Sequence, residues 1–214
     1  IPTKALILTA HPDDEVMFFA PAILNLVKSN IDVYALCLSN GNADGLGQIR
    51  EEELLASYAR LGVRADKVRL INDGRLQDSM QIKWEPNLIS EYVQQFSQHS
   101  GPFDLLLTFD KDGISQHANH KACSNSVPLI YKSGAITENG RIYALRSHST
   151  AFKYLGLFGA LVNHLGARLT LASQDKVAFL STPFEYLHSL RAMSLHKSQM
   201  VWFRYLYLIF STYM

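Results

Sequence analysis

The sequence predicts an α/β protein, a Rossmann-like three-layer sandwich with a mostly parallel central sheet. Three observations carry that expectation. Short and almost wholly apolar runs recur at residues 4–9, 31–38, 68–71 and 103–108, the pattern of strands buried on both faces. Between them lie longer stretches with apolar residues three and four apart, the period of helices that cover a sheet. The connections are short, as expected of crossovers within one layered unit.

Taken in order, the run at 4–9 is the first strand. Residues 15–29 follow as a helix with Val16, Phe19, Ile23 and Val27 on one face, and Pro21 predicts a kink or restart within it. The second strand, 31–38, runs into the glycine-rich loop 39–47. A helix over 48–61 closes at Gly62, a natural C-cap. A short strand at 68–71 and a helix at 85–96 lead to the fourth strand at 103–108. After the loop FDKDGISQH, a helix starts near His117 or Ala118 and runs towards Ile130. Beyond residue 134 the alternation changes: strands are expected at 141–145 and 176–180, a helix-like stretch at 151–161, and a final helix over 183–200. No repeat, low-complexity stretch or linker interrupts the chain, so residues 1–214 read as a single domain.

At 214 residues, 48% hydrophobic and 18% charged, the chain can bury a core without disulfides. A net charge of +1 leaves no basic field for nucleic acid. Cys37 and Cys123 lack metal-ligand spacing and read as reduced core residues of a cytosol-facing protein. No signal peptide or transmembrane stretch is visible at the start, and with Ile-Pro-Thr-Lys in place of an initiator methionine something upstream is expected to have been removed or left out. The tail QMVWFRYLYLIFSTYM carries one charge, Arg204, and is too short to span a bilayer. It is expected either to pack on the core or to touch a membrane or partner.

In an open α/β sheet, ligands bind beyond the carboxyl ends of the strands. His11, Asp13 and Asp14 follow the first strand, the Asn/Gly loop follows the second, and Asp110, Asp112, His117 and His120 follow the fourth. Imidazoles with a carboxylate, leaving one position for water, make a catalytic zinc set, although manganese or iron stays open. His117 and His120, three apart at a helix start, can face one way. Adjacent aspartates cannot easily both bind one ion, so one is expected to ligate and the other to act as base. The plainer alternative is that Asp14 and Glu15 are first-turn acids and Asp13 a cap. The first strand–helix turn lacks Gly-x-Gly-x-x-Gly, which argues against a nucleotide cofactor. Arg50 sits at a helix start against the dipole, either to bind a phosphate or sugar hydroxyl or to pair with Glu51, Glu52 and Glu53. His188 and His196 are candidates for a pocket wall.

The elements Ala10-His11-Pro12-Asp13-Asp14-Glu15, Gln48-Ile49-Arg50-Glu51-Glu52-Glu53, Gly113 to His120 and Ser194-Leu195-His196-Lys197-Ser198-Gln199 together resemble the PIG-L (LmbE-like) family of zinc-dependent de-N-acetylases. The resemblance spans about residues 5 to 210. Many bacterial members have His-Pro-Asp-His where this chain has Asn119, and the eukaryotic branch resembles the chain there. The resemblance implies that His11, Asp14 and His120 bind one zinc and that Asp13 is the general base. It gives His117 to the oxyanion or to protonation of the leaving amine, Arg50 to the sugar or its phosphate side, and His196 to the pocket wall.

The eukaryotic branch further implies a glycolipid substrate, N-acetylglucosaminyl-phosphatidylinositol, deacetylated in the second step of GPI-anchor synthesis. It implies a place on the cytoplasmic face of the endoplasmic reticulum membrane, held by an N-terminal anchor absent from this chain. No obligatory protein partner is expected. Two alternatives remain: a deacetylase of a soluble GlcNAc conjugate or chitooligosaccharide, and an inactive sugar-lipid binding protein. Glu15 has no assigned part beyond a first-turn acid or a support for the ligands.

Overall fold

The computed structural model describes residues 2–169 and 176–214 of the chain. In order, the elements are β1 (Lys4–Thr9), α1 (Asp14–Lys28), β2 (Asp32–Cys37), α2 (Gly47–Arg60), β3 (Val68–Leu70), α3 (Pro86–Ser100), β4 (Phe103–Phe109), α4 (Gly113–Gln116), α5 (Ala118–Lys132), β5 (Ile136–Leu145), α6 (Thr150–Lys153), α7 (Gly156–Leu169), α8 (Pro183–Met193) and α9 (Trp202–Phe210). Among the described residues the strands form one sheet in the order β3-β2-β1-β4-β5. Every pairing among them is parallel, in line with the mostly parallel sheet the sequence predicts.

That order positions the site. The chain builds outward from β1 through β2 to β3, then returns to lay β4 against the other side of β1, with Ala5 opposite Leu105 and Ile7 opposite Leu107. The direction of winding reverses between β1 and β4, which opens a crevice beyond their carboxyl ends. Right-handed crossovers place α1 and α2 on one face and α3 and α5 on the other; α3 packs on α5, and α8 packs on α1 and α2. Ala5 to Leu8 and Leu36 to Leu38 are wholly inaccessible, as continuous apolar strands covered on both faces must be.

Pro21 does not break α1, which runs unbroken from Asp14 to Lys28. A proline there cannot donate to the carbonyl of Met17. That carbonyl accepts instead from the Tyr207 hydroxyl at 2.8 Å, so the missing helix bond is replaced by a tie to α9. Cys37 and Cys123 are free and buried, as expected.

The C-terminal third departs most from expectation. Residues 176–180 form no strand; among the described residues β5 is the edge of the sheet on that side, and this run does not pair with it. The expected helix at 151–161 is two helices, broken before Gly156 (φ +52). The expected helix at 183–200 ends at Met193 and is followed by a 3₁₀ turn at Lys197–Gln199. β5 begins earlier than expected, and its register shifts between Phe103 and Leu105 of β4, which accommodates the Asn139-Gly140 pair.

The connection from β3 to α3 is long and irregular, and Trp84 anchors it. Its ring is 2% exposed, its indole N–H donates to the Gln77 carbonyl at 2.9 Å, and it meets His11 edge-on at 6.0 Å. Trp84→Ala is expected to cost about 3–5 kcal/mol in urea unfolding, whereas Trp84→Phe, which keeps most of the packing, costs clearly less.

Candidate metal centre

The turn after β1 is built around Asp14. Its Oδ2 accepts the backbone N–H groups of Ala10 (3.0 Å) and His11 (2.9 Å), so the carboxylate folds back over the chain that delivers it. This return forces Asp13 to φ +102 at the N-cap of α1, a left-handed conformation that costs a non-glycine residue about 1–3 kcal/mol and clusters at functional sites. Asp13 makes no capping bond with its side chain. Its backbone N–H is held by Glu15 Oε2 at 3.0 Å.

The second half of the site comes from the loop after β4. Asp110 organises that loop and does not join the cluster. Its Oδ1 accepts from the N–H groups of Asp112 and Gly113 and from the Ser147 hydroxyl, and its Oδ2 from Ser147 N–H. A single turn follows with Gly113, Ile114 and Gln116 at positive φ, a second concentration of strain. His117 then caps α5, its Nδ1 accepting the Asn119 N–H at 3.3 Å. That bond places the ring proton on Nε2.

His120 lies one turn on. Its ring stacks flat on Phe109 with centroids 3.9 Å apart, and its Nδ1 donates to the Gly113 carbonyl at 3.0 Å. The other nitrogen, Nε2, is buried with no hydrogen-bond partner, 3.2 Å from Asp14 Oδ1. A histidine that donates one ring N–H to a carbonyl and aims an unpartnered lone pair into a cluster is oriented as a metal ligand. The nitrogens of His11, His117 and His120 lie within 4.8 Å of one another, and Asp14 Oδ2 is 3.8 Å from His11 Nδ1. This group of imidazoles and a carboxylate could hold a metal ion.

His11 Nε2 faces Asn119 Oδ1 and Asp78 Oδ1, each at 3.2 Å. Donation to these acceptors leaves Nδ1 with its lone pair towards Asp14. Asn119 is fully buried and its Oδ1 also accepts the Ser79 N–H at 3.2 Å, so the neutral amide ties His11 to the loop that carries Asp78.

Electrostatics separates the acids. Burial alone would raise Asp14, but His120 and His11, with the His11 N–H, hold it well below the usual carboxylate range. Burial pushes Asp13 up, and Arg204 opposes it in part. His117 is pushed down to about 4 by burial and by the neighbouring imidazoles of His11 and His120. Burial acts to lower His11, but Asp78 and Asp14 outweigh it and the net shift is upward.

Three further groups close around Asp13 and Glu15. Arg204 of α9 reaches Asp13 Oδ2 with Nη2 at 3.0 Å. Arg50 is buried; it donates to the carbonyls of Gly41 (2.9 Å) and Pro12 (2.6 Å) and lies 3.6 Å from Asp78. Expected at the sugar, it is placed with its guanidinium on protein groups. His196, expected at a pocket wall, is fully buried, and its Nε2 donates to Glu15 Oε1 at 2.6 Å, where Ser57 Oγ also donates at 2.6 Å. Glu15 is thus the junction of α1, α2 and the turn after α8. His188 is exposed on α8 and is not brought to the cluster. Asp78 is unmarked in the sequence, and Arg204 stands out there only as the one charge of the aromatic tail; nothing in local spacing joins either to the site.

Residues 6–131 match the family model PIG-L, described as GlcNAc-PI de-N-acetylase. The chain belongs to the PIG-L family. It is 37% identical to N-acetylglucosaminyl-phosphatidylinositol de-N-acetylase of Bos taurus, across 99% of this chain and 81% of that protein. It is 35% identical to the probable enzyme of the same name from Schizosaccharomyces pombe, across 98% of this chain and 83% of the relative. Among solved structures it superposes on N,N'-diacetylchitobiose deacetylase from Pyrococcus horikoshii with a TM-score of 0.60 at 16% identity, covering 96% of this chain and 76% of the other. A deacetylase of teicoplanin biosynthesis gives 0.62 at 13%, covering 92% and 85%. These structures share the PIG-L chain's α/β fold.

His120→Ala is expected to abolish stable metal binding in a chelator-competition titration. Asn119→Ala, which removes the acceptor shared by His11 and the Ser79 N–H but no metal-facing group, is expected to weaken it about 10–100-fold.

Proposed function

We propose that this chain hydrolyses the acetamide of N-acetylglucosaminyl-phosphatidylinositol to release acetate and glucosaminyl-phosphatidylinositol, the second step of GPI-anchor synthesis. The observation that carries this reading is the 37% identity along 99% of the chain with an enzyme of that name. The whole chain acts in it as one catalytic domain. Because its substrate is a lipid, the enzyme works at a membrane surface, and the resemblance to the eukaryotic branch implies the cytoplasmic face of the endoplasmic reticulum.

His11, Asp14 and His120 would hold zinc, the ion that a set of two imidazoles and a carboxylate favours. Bound there, zinc supplies a Lewis acid for the amide carbonyl and lowers the pKa of the attacking water. Asp13, raised by burial and next to Asp14, takes the proton of that water. His117, with its proton on Nε2, donates a hydrogen bond to the oxyanion of the tetrahedral intermediate. Pushed down to about 4 by burial and the neighbouring imidazoles, His117 serves in this reading as a neutral donor. The proton taken up by Asp13 is then the one available to the departing amine. Arg50 and His196 act one step back: Arg50 holds the Pro12 and Gly41 carbonyls, and His196 holds Glu15, which fixes the Asp13 N–H.

Purified protein is expected to contain about one zinc per chain and to release acetate from the lipid substrate faster than from free GlcNAc. Asp13→Asn is expected to keep the metal and lose about 10²–10⁴-fold in kcat. Undiminished turnover in that variant contradicts the base assignment; equal rates on lipid and free sugar contradict the lipid substrate.

A further inference from the structure

Two helices of the C-terminal third carry apolar faces that no other described residues cover. On α9, Trp202, Phe203, Tyr205, Leu206, Ile209 and Phe210 are all exposed, from 47% at Leu206 to 75% at Trp202. On α7, Leu157, Phe158 and Leu165 are exposed by 59% or more. The two helices pack on each other, and Gly156 at the start of α7 lies against the backbone of Ile209 and Phe210. One continuous apolar surface results, larger than scattered surface apolars account for.

Three observations say what covers it. First, the outward face of α9 carries no charge: Arg204, the helix's one charged residue, turns inward to Asp13, and Tyr207 and Leu208 form the buried stripe. Trp and Tyr on such a face suit the boundary between water and hydrocarbon. Second, charge is unevenly distributed. Residues 141–214 hold eight Lys and Arg against two acids, whereas residues 1–140 hold twelve against seventeen. Exposed cations flank α9 at both ends. Lys197 precedes it, and Arg146, whose carbonyl accepts the Tyr213 hydroxyl, sits beside its far end. Third, the helix that carries this face is also tied to the metal centre, since Arg204 on its inner side meets Asp13 and Tyr207 meets the Met17 carbonyl. No helix of the described residues is long and apolar enough to cross a membrane, so the surface fits a helix pair lying in the interface plane.

We propose that the outward faces of α7 and α9 are a lipid-docking surface that seats the protein on an anionic bilayer with the metal centre at the lipid boundary. The proposal rests on the reading of a lipid substrate only for the direction in which the site faces. A second copy of the chain is the competing occupant, but the net positive charge around the face repels an identical face and attracts anionic headgroups.

The test uses the 214-residue chain and vesicles that contain no substrate, so docking is read separately from hydrolysis. The chain has two tryptophans, Trp84 buried and Trp202 exposed, so a blue shift of emission on vesicle addition reports Trp202 and disappears in Trp202→Phe. Sedimentation is expected to recover about tenfold more protein with phosphatidylcholine vesicles doped with phosphatidylserine or phosphatidylinositol than with phosphatidylcholine alone. The double variant Leu206→Glu, Ile209→Glu is expected to lose about tenfold or more of that binding, with unchanged helix content, unchanged metal content and unchanged acetate release from a water-soluble GlcNAc-inositol. Vesicle binding that is absent, indifferent to lipid charge or unaltered in the double variant overturns the proposal. So does a dimer in analytical ultracentrifugation that the double variant dissolves. Failure of acetate release with vesicle binding intact overturns the functional reading and leaves the docking surface standing.

Discussion

Three consecutive carboxylates, Asp13, Asp14 and Glu15, are buried to 5% exposure or less at the end of the central strand. Burying one ionised carboxylate without partners is prohibitive. Three in a row can persist only if the fold brings each its own donors, and much of the structure around the site answers to that requirement. Asp14 draws on the backbone of its own turn and on His120. Glu15 draws on the Asp13 N–H, Ser57 of α2 and His196 of the turn after α8. Asp13 draws on Arg204 of α9. The turn after β1, α2, α5, the turn after α8 and α9 therefore each contribute a partner to one of three adjacent side chains.

The same requirement accounts for the conformational strain. Asp14 is the first residue of α1, and from there its carboxylate turns back on the Ala10 and His11 N–H groups. The left-handed Asp13 makes the return possible and turns its side chain towards Arg204. Opposite it, the turn at Gly113–Gln116 brings the Gly113 carbonyl under His120 Nδ1. Strain on both sides of the crevice is thus the cost of aiming Asp14 and His120 at one point.

Much of this was legible in the sequence, for physical reasons. β1, β2 and β4 are buried on both faces and so announce themselves as apolar runs; α1, α2 and α5 carry one-sided apolar spacing. His11, Asp14, His117 and His120 were readable because charge directly after an apolar strand has few purposes other than chemistry. What could not be read is what depends on closure. Arg204 sits in an aromatic tail that reads as core or membrane surface, and only the docking of α9 on α1 shows that it meets Asp13. Asp78 lies in an irregular loop whose path is set by Trp84. Glu15 looked like a first-turn acid because its partners Ser57 and His196 are 42 and 181 residues away. The irregular run at 176–180 has the composition of a strand, but pairing belongs to the sheet and not to the segment.

The central claim is that three neighbouring acids divide their work, Asp14 on the metal, Asp13 on the water and Glu15 on the scaffold. The most direct test is a crystal structure of zinc-loaded protein with anomalous data at the zinc edge. The account predicts one ion coordinated by His11, Asp14 and His120, with Asp13 still paired to Arg204 and Glu15 still bonded to His196. An ion held by His11, His117 and His120 without Asp14, or one that takes Asp13 or Glu15 as a ligand, would contradict it.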